Sequence, residues 1–447
     1  MVRNIIVIGS GAAGMTAAST AKRSDPDASV LVFTKDEYVA YSPCAIPWAI
    51  EGKIKWEDIV MHDPSFYKKE RGIDVYVKTT VTAIDGVNKA VVANGETYRY
   101  DSLIIATGGI VSVPPVDGTN LEGVFTVKTI KDGKLVQTAA RDSKTVVIVG
   151  AGIIGLEMSL AFRRMGKRVI IVEVMSQVMS RIVDDDMADL IQKHLEGDGI
   201  EFIMETSILA VRGIERVEAV VTTGGEYLCD MVVFATGVRA DLSVPGLLGL
   251  DVGQLKAVVV APTMQPYKMG CMVSDVFVAG DVVQCQSAVM KIPVMSQLGS
   301  TAVRQGIVAG MNAAGCNKVI GPVVSPWVSV IGSLHVAGSG FSRDIALRNG
   351  IKTVDGKAVG FTCARYCSDK KKIVVKIIAD VTSHKIIGAQ IVSGEDVTGR
   401  INWLASAIMN GMTVEDFIAN SETAYCPLVS TVRDVVILAA NELCSRF

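Results

Sequence analysis

Asn4-Ile5-Ile6-Val7-Ile8-Gly9-Ser10-Gly11-Ala12-Ala13-Gly14 decides how this chain is read. Four consecutive β-branched residues with no polar alternation predict a strand buried on both faces of a parallel sheet. Three glycines follow at once, and then a helix of small residues. In such a turn the first glycine permits the tight reversal, the second lets backbone approach a pyrophosphate, and the third packs helix on strand. The pyrophosphate rests on the helix N-terminus, where unpaired N–H groups and the dipole favour an anion.

The design recurs. Thr145-Val146-Val147-Ile148-Val149 leads into Gly150-Ala151-Gly152-Ile153-Ile154-Gly155, with the turns 141 residues apart (150 minus 9). Ile104-Ile105-Ala106-Thr107-Gly108 is matched by Val233-Phe234-Ala235-Thr236-Gly237, at an offset of 129 (236 minus 107). One glycine turn alone is weak and can be purely structural. Two motifs repeated in the same order predict two doubly wound, dinucleotide-binding units in succession. In the second, Val169-Ile170-Ile171-Val172-Glu173 supplies a carboxylate for ribose hydroxyls; it repels a 2′-phosphate, so NADH is expected over NADPH. In the first, Val30-Leu31-Val32-Phe33 ends in Thr34-Lys35, where a hydroxyl replaces the carboxylate. Residues 273–281 read as another strand ending in Gly280-Asp281, and 297–315 as a helix. From about 326 these signals stop; strand-like 373–379 and 386–392 precede helical 396–411 and 430–443. The expected fold is α/β: two doubly wound domains (1–111 with 245–325, and 112–244) plus a C-terminal α+β domain at 326–447.

Composition narrows the function. Among 447 residues, 44 Lys+Arg against 46 Asp+Glu give a net charge of −2, which offers no field to gather nucleic acid or an anionic membrane surface. Apolar residues make up 49% of the chain, enough for several cores. No apolar run reaches the roughly 18 residues of a membrane span, and a cytoplasmic location is expected. The nine cysteines, at 44, 229, 271, 285, 316, 363, 367, 426 and 444, are odd in number, widely spaced and without a CxxC. With four histidines, neither a disulfide framework nor a metal site is expected.

Cys44 stands apart, in Tyr41-Ser42-Pro43-Cys44-Ala45-Ile46-Pro47-Trp48. After a proline and opening a helix-like segment, its thiol is expected to be acidified by helix N–H groups. The other cysteines are expected to be small buried hydrophobes. Spacing alone suits a structural Cys44 as well as a reactive one.

The paired glycine turns, both Ala-Thr-Gly segments, Ala279-Gly280-Asp281-Val282, Cys44 and Ala424-Tyr425-Cys426-Pro427 together resemble the pyridine nucleotide-disulfide oxidoreductases. The resemblance covers nearly the whole chain and is strongest to the single-cysteine branch of coenzyme A-disulfide reductases, NADH oxidases and peroxidases, and persulfide reductases. It implies FAD on Gly9, Gly11, Ala12, Ala13, Gly14, Thr34, Lys35, Ala106, Thr107, Gly108, Gly280 and Asp281. It implies NAD(P)H on Gly150, Gly152, Ile153, Ile154, Gly155, Glu173 and Gly237, and a homodimer through the C-terminal domain. Cys44 becomes the redox-active cysteine. The oxidases and peroxidases carry a histidine in the first glycine turn where this chain has Ala12, which disfavours oxygen or peroxide reduction. The two-cysteine reductases need a second cysteine five residues on, and Ala45 to Ala49 holds none. A disulfide or persulfide substrate, coenzyme A disulfide among them, then reacts through Cys44. Tyr425 of the partner subunit is the implied proton donor, with Tyr366 second, and Cys426 could add a thiol. Arg23, Ser42 and Arg304 are the implied substrate-binding residues. The alternatives are an NADH oxidase and an electron-transfer reductase for a small redox protein.

Overall fold

The apolar run Asn4–Ile8 forms the middle strand of a five-stranded parallel sheet in a computed structural model that describes residues 2–447. The strand order is Val276–Val278, Ser102–Ile105, Asn4–Ile8, Ser29–Phe33, Ile73–Tyr76. Ile5, Ile6 and Val7 are wholly buried, as both faces of a doubly wound sheet require. The outermost strand at 276–278 arrives from far along the chain, so this unit is assembled from two stretches of sequence.

Helices Ala12–Ser24 and Gly299–Ala313 lie against one another nearly backbone to backbone. A Cβ at Gly306 would sit 2.5 Å from the Ala13 carbonyl oxygen, and one at Gly310 2.4 Å from that of Ala17. Small residues at these positions are therefore a packing requirement. The second helix runs from Gly299, which puts Arg304 in its second turn.

The second glycine turn begins from a parallel sheet of the same design, ordered Ile200–Ile203, Arg168–Val172, Thr145–Val149, Met231–Phe234, Val124–Thr126. Each unit also carries a three-stranded antiparallel meander, at 81–99 and 208–228, that the sequence reading did not anticipate. The two repeat offsets differ because one connection differs. Phe33 to Ile73 spans 40 residues (73 minus 33), whereas Val172 to Ile200 spans 28 (200 minus 172). The longer connection carries Cys44. Strands Gly109–Val111 and Val238–Ala240 pair antiparallel where the chain passes from one unit to the other and back.

The remainder folds as a five-stranded antiparallel sheet, Trp327–Ile331, Leu334–Gly340, Ile386–Ser393, Lys372–Asp380, Thr353–Phe361, with helices Thr398–Met409, Val414–Asn420 and Val435–Cys444 contributing to its apolar core. The helix expected from residue 430 begins at Val435, and 421–434 runs as irregular chain.

Buried charge joins this unit to the second one. The Lys376 side chain is fully buried, with Nζ 2.9 Å from Asp184 and 2.7 Å from Asp186 at the start of helix Asp185–Gly197. Arg343 also reaches Asp184, at 3.3 Å, and the Asp184 N–H donates to Gln390 at 2.9 Å. Removing one partner strands the others in low dielectric. Lys376→Met is therefore expected to destabilise the C-terminal unit by about 3–5 kcal/mol in denaturant unfolding; a change under about 0.5 kcal/mol would show the network to be dispensable.

Candidate active site

Both glycine turns open into a single cleft of about 2180 Å³, which Cys44, Lys128, Glu157, Glu173, Asp241 and Asp281 also line. The turns keep the strict division of labour that their sequences imply. A Cβ at Gly9 would lie 2.2 Å from the Ala106 carbonyl oxygen, and one at Gly14 1.9 Å from that of Gly9. Gly150 and Gly155 repeat this against Ala235 (2.6 Å) and Gly150 (2.1 Å). The middle glycines, Gly11 and Gly152, have nothing within 4 Å on that side and face the cleft. First and third glycines are thus demanded by packing, while the middle pair leaves room for a ligand's backbone approach. Those open sides, repeated in a cleft this large, fit two dinucleotides.

The predicted residues around the turns are held in different ways. Thr34 is buried; its hydroxyl accepts from Ser10 Oγ at 3.0 Å, so part of its bonding capacity is already used. Lys35 pairs with Asp241 at 3.2 Å. Glu173 accepts from the Ala151 N–H at 2.7 Å and the Met175 N–H at 2.9 Å, which fixes its carboxylate beside the second turn. Gly280 has φ of +91°, its N–H donates to Gln305 at 2.8 Å, and Asp281 lies 3.6 Å from Lys128. Ala12, Ala13, Thr107, Gly108, Ile153, Ile154 and Gly237 all line the same cleft.

Cys44 sits in the single 3-10 turn Pro43–Ala45 that precedes the short helix Ile46–Glu51. Solvent reaches the thiol from the cleft, but protein encloses its other sides. That enclosure comes first, and the Glu157 carboxylate second, in raising its pKa above the usual thiol value; Lys128 pulls the other way. The expected acidification by a helix terminus is overturned, because one turn of 3-10 helix offers too little dipole to offset burial. Glu157 is itself raised by burial, with its carboxylate accepting from Ser329 Oγ at 2.6 Å. Sequence reasoning missed Lys128 and Glu157. A lone carboxylate two residues past Gly155, inside an otherwise apolar helical run, was the available signal for the second.

Other predicted residues lie elsewhere. Arg23 and Arg304 are exposed on the packed helix pair, and neither they nor Ser42 line the cleft. Arg23 donates to Thr20 Oγ1 at 3.2 Å, and the Ser42 N–H donates to the Ile59 oxygen at 3.0 Å. Tyr366 and Tyr425 are exposed on the C-terminal unit, outside this chain's own cleft, and hydrogen bonding to Tyr425 raises the Tyr366 pKa. Of the cysteines expected to be buried, Cys271, Cys316 and Cys426 are exposed. Cys363 and Cys367, only four residues apart in sequence, are the exception to the wide spacing of the cysteines, and the fold brings their thiols together beside Asp369.

Two cradles of this design opening into one cleft define an oxidoreductase that works with two dinucleotides. Residues 3–306 match the pyridine nucleotide-disulphide oxidoreductase family and 327–434 match its dimerisation domain, so the chain belongs to that family. It is an enzyme that uses FAD and a nicotinamide nucleotide. It is 40% identical over 445 residues to a protein named NADH oxidase of Methanocaldococcus jannaschii, with 98% of each chain covered. It is 31% identical, over 99% of each chain, to an NAD(P)H coenzyme A polysulfide/persulfide reductase of Pyrococcus horikoshii. Among solved structures, an NAD-dependent persulfide reductase from A. fulgidus superposes with a TM-score of 0.94 at 30% identity, covering 99% of this chain and 83% of that one. No helix among the described residues is long and apolar enough to cross a membrane.

Two outcomes test the site. Gly14→Ala should lower stability by at least about 1–3 kcal/mol, because backbone must shift, whereas Gly11→Ala should melt like wild type yet retain less flavin; thermal unfolding and flavin absorbance read the two. The alkylation rate of Cys44 should still be climbing above the ordinary thiol pKa, since the raised value withholds thiolate. Glu157→Gln should move that profile to lower pH by removing a like charge; an unmoved profile would discount the carboxylate.

Proposed function

We propose that this enzyme reduces a disulfide or persulfide sulfur with NADH, through Cys44 as the single redox-active cysteine of the cleft. The observation that carries the proposal is the placement of Cys44 in the cleft shared by both glycine turns. Family membership and sulfur-reducing relatives support the same reading. Gly9, Gly11, Ala12, Ala13, Gly14, Thr34, Lys35, the Ala106–Gly108 segment, Gly280 and Asp281 would hold FAD. Gly150, Gly152, Ile153, Ile154, Gly155, Glu173 and Gly237 would hold the nicotinamide nucleotide, with Glu173 selecting NADH. Bound FAD would supply the transfer of an electron pair from nicotinamide to sulfur.

The chain's own part is sulfur and proton chemistry. The Cys44 thiolate attacks the substrate S–S bond, forming a mixed disulfide or a Cys44 persulfide and expelling a thiolate or hydrosulfide. That leaving group needs a proton. In a homodimer joined through the C-terminal unit, Tyr425 acting at the partner subunit's cleft would give it, with Tyr366 next to it. Exposure of both hydroxyls outside their own chain's cleft supports this assignment. Arg23 and Arg304, exposed on neighbouring helices, would meet the phosphates of a coenzyme A carrier, with Ser42 next to the reacting cysteine. The domain division 1–111 with 245–325, 112–244 and 326–447 assigns FAD, nucleotide and dimer contact in turn.

A second reading, an NADH oxidase, is favoured by the 40% identical relative of that name. Ala12 weighs against it, since its methyl group can neither donate a proton nor hold an oxidised cysteine. The test is anaerobic NADH oxidation by flavin-loaded enzyme with coenzyme A disulfide, a persulfide or no acceptor, for wild type and Cys44→Ser. Acceptor-dependent turnover should fall at least about a hundredfold in the variant. NADH consumption that waits for oxygen, or a variant equal to wild type, would refute the sulfur reading.

A further inference from the structure

The Cys44 chemistry leaves one group of thiols unused. Cys363 and Cys367 bracket Tyr366 in the loop between strands Thr353–Phe361 and Lys372–Asp380. Both are buried, at 3% and 8% exposure, and their Sγ atoms lie within 4.8 Å of each other and of an Asp369 carboxylate oxygen. The loop is tied to the segment that bears Tyr425. Ala364 N–H and Cys367 Sγ–H both donate to the Pro427 carbonyl oxygen, at 2.9 Å and 3.3 Å. A structural zinc needs four ligands; here there are two thiols and an exposed carboxylate, and the Cys367 thiol is already engaged by a carbonyl. Two thiols this close on an irregular loop need only side-chain rotation and a small backbone adjustment to reach the S–S bonding distance of about 2.05 Å.

We infer that Cys363 and Cys367 form a second redox centre, a dithiol that low-molecular-weight disulfides or polysulfides oxidise to an intramolecular disulfide. One thiolate attacks the oxidant's S–S bond and releases one thiol. The other thiolate then attacks the resulting mixed disulfide and releases the second thiol. Two thiols and RSSR become one disulfide and two RSH, with both protons leaving on the products. Closing the bond takes Cys367 Sγ–H away from Pro427, loosens the 424–428 segment and tightens the turn under Tyr366. The tyrosine pair is thereby separated, so accumulation of oxidised substrate slows the proton-donating step. This consequence rests on the reading of Tyr366 and Tyr425 proposed above; formation of the disulfide does not.

The test treats flavin-loaded enzyme, without NADH, with coenzyme A disulfide, in wild type, Cys44→Ser and the Cys363→Ser/Cys367→Ser double variant. Free thiols are then alkylated and the peptides mapped by mass. A 363–367 disulfide should form in wild type and in Cys44→Ser alike, and dithiothreitol should reverse it. Acceptor-dependent turnover of oxidised wild type should drop at least about tenfold, while the double variant keeps its rate after the same treatment. Both cysteines alkylated after oxidation, or a stoichiometric metal released by thiol reagent, would overturn the centre. An equal loss of turnover in the double variant would overturn its control of activity. Because the disulfide is read by mass in Cys44→Ser, failure of the Cys44 reading would be seen separately.

Discussion

The contact on which everything else depends is a carbonyl oxygen lodged where a side chain would be. Gly14 receives the Gly9 oxygen, and Gly9 in turn receives that of Ala106; Gly155, Gly150 and Ala235 repeat the set. This stacking brings the first strand, the helix N-terminus and the Ala-Thr-Gly strand end to one point in each unit. With backbone so close, the helix N-terminal N–H groups and the open side of the middle glycine face the same cleft. Any Cβ at the first or third position would push the helix off the sheet and the anion site with it.

Cys44 owes its setting to the one place where the repeat is broken. The second-to-third strand connection of the first unit is longer than its counterpart and is folded over the cleft as a 3-10 turn and a short helix. Two opposed influences then act on the thiol. Enclosure and Glu157 keep it protonated, while Lys128 favours the anion. Glu157 arrives from the second unit and is bonded to Ser329 of the third, so the state of this cysteine is set by all parts of the chain.

The third unit is fastened to the second by ions taken out of water. Lys376 cannot be reached by solvent and is satisfied by Asp184 and Asp186, with Asp355 further off at 3.7 Å. Such a joint tolerates little displacement, because a shift of either partner leaves charge uncompensated. It therefore fixes the sheet of the third unit against the start of helix Asp185–Gly197 in the second.

The sequence by itself determined the two doubly wound units, their order and the carboxylate at Glu173, because each is encoded locally, in glycine spacing and in unbroken apolar runs whose period needs no partner. It marked Cys44 by resemblance but not its acidity, which depends on Glu157 and Lys128, both distant in sequence. The meanders at 81–99 and 208–228 escaped notice because short antiparallel strands with mixed exposure carry no strong period. Cys363 and Cys367 were in plain view four residues apart, yet spacing could not say whether the loop turned their thiols together. Only the tertiary structure decided that, and with it the burial of Lys376 among Asp184, Asp186 and Asp355. Each depends on which segments pack against one another, and packing is a property of the whole chain.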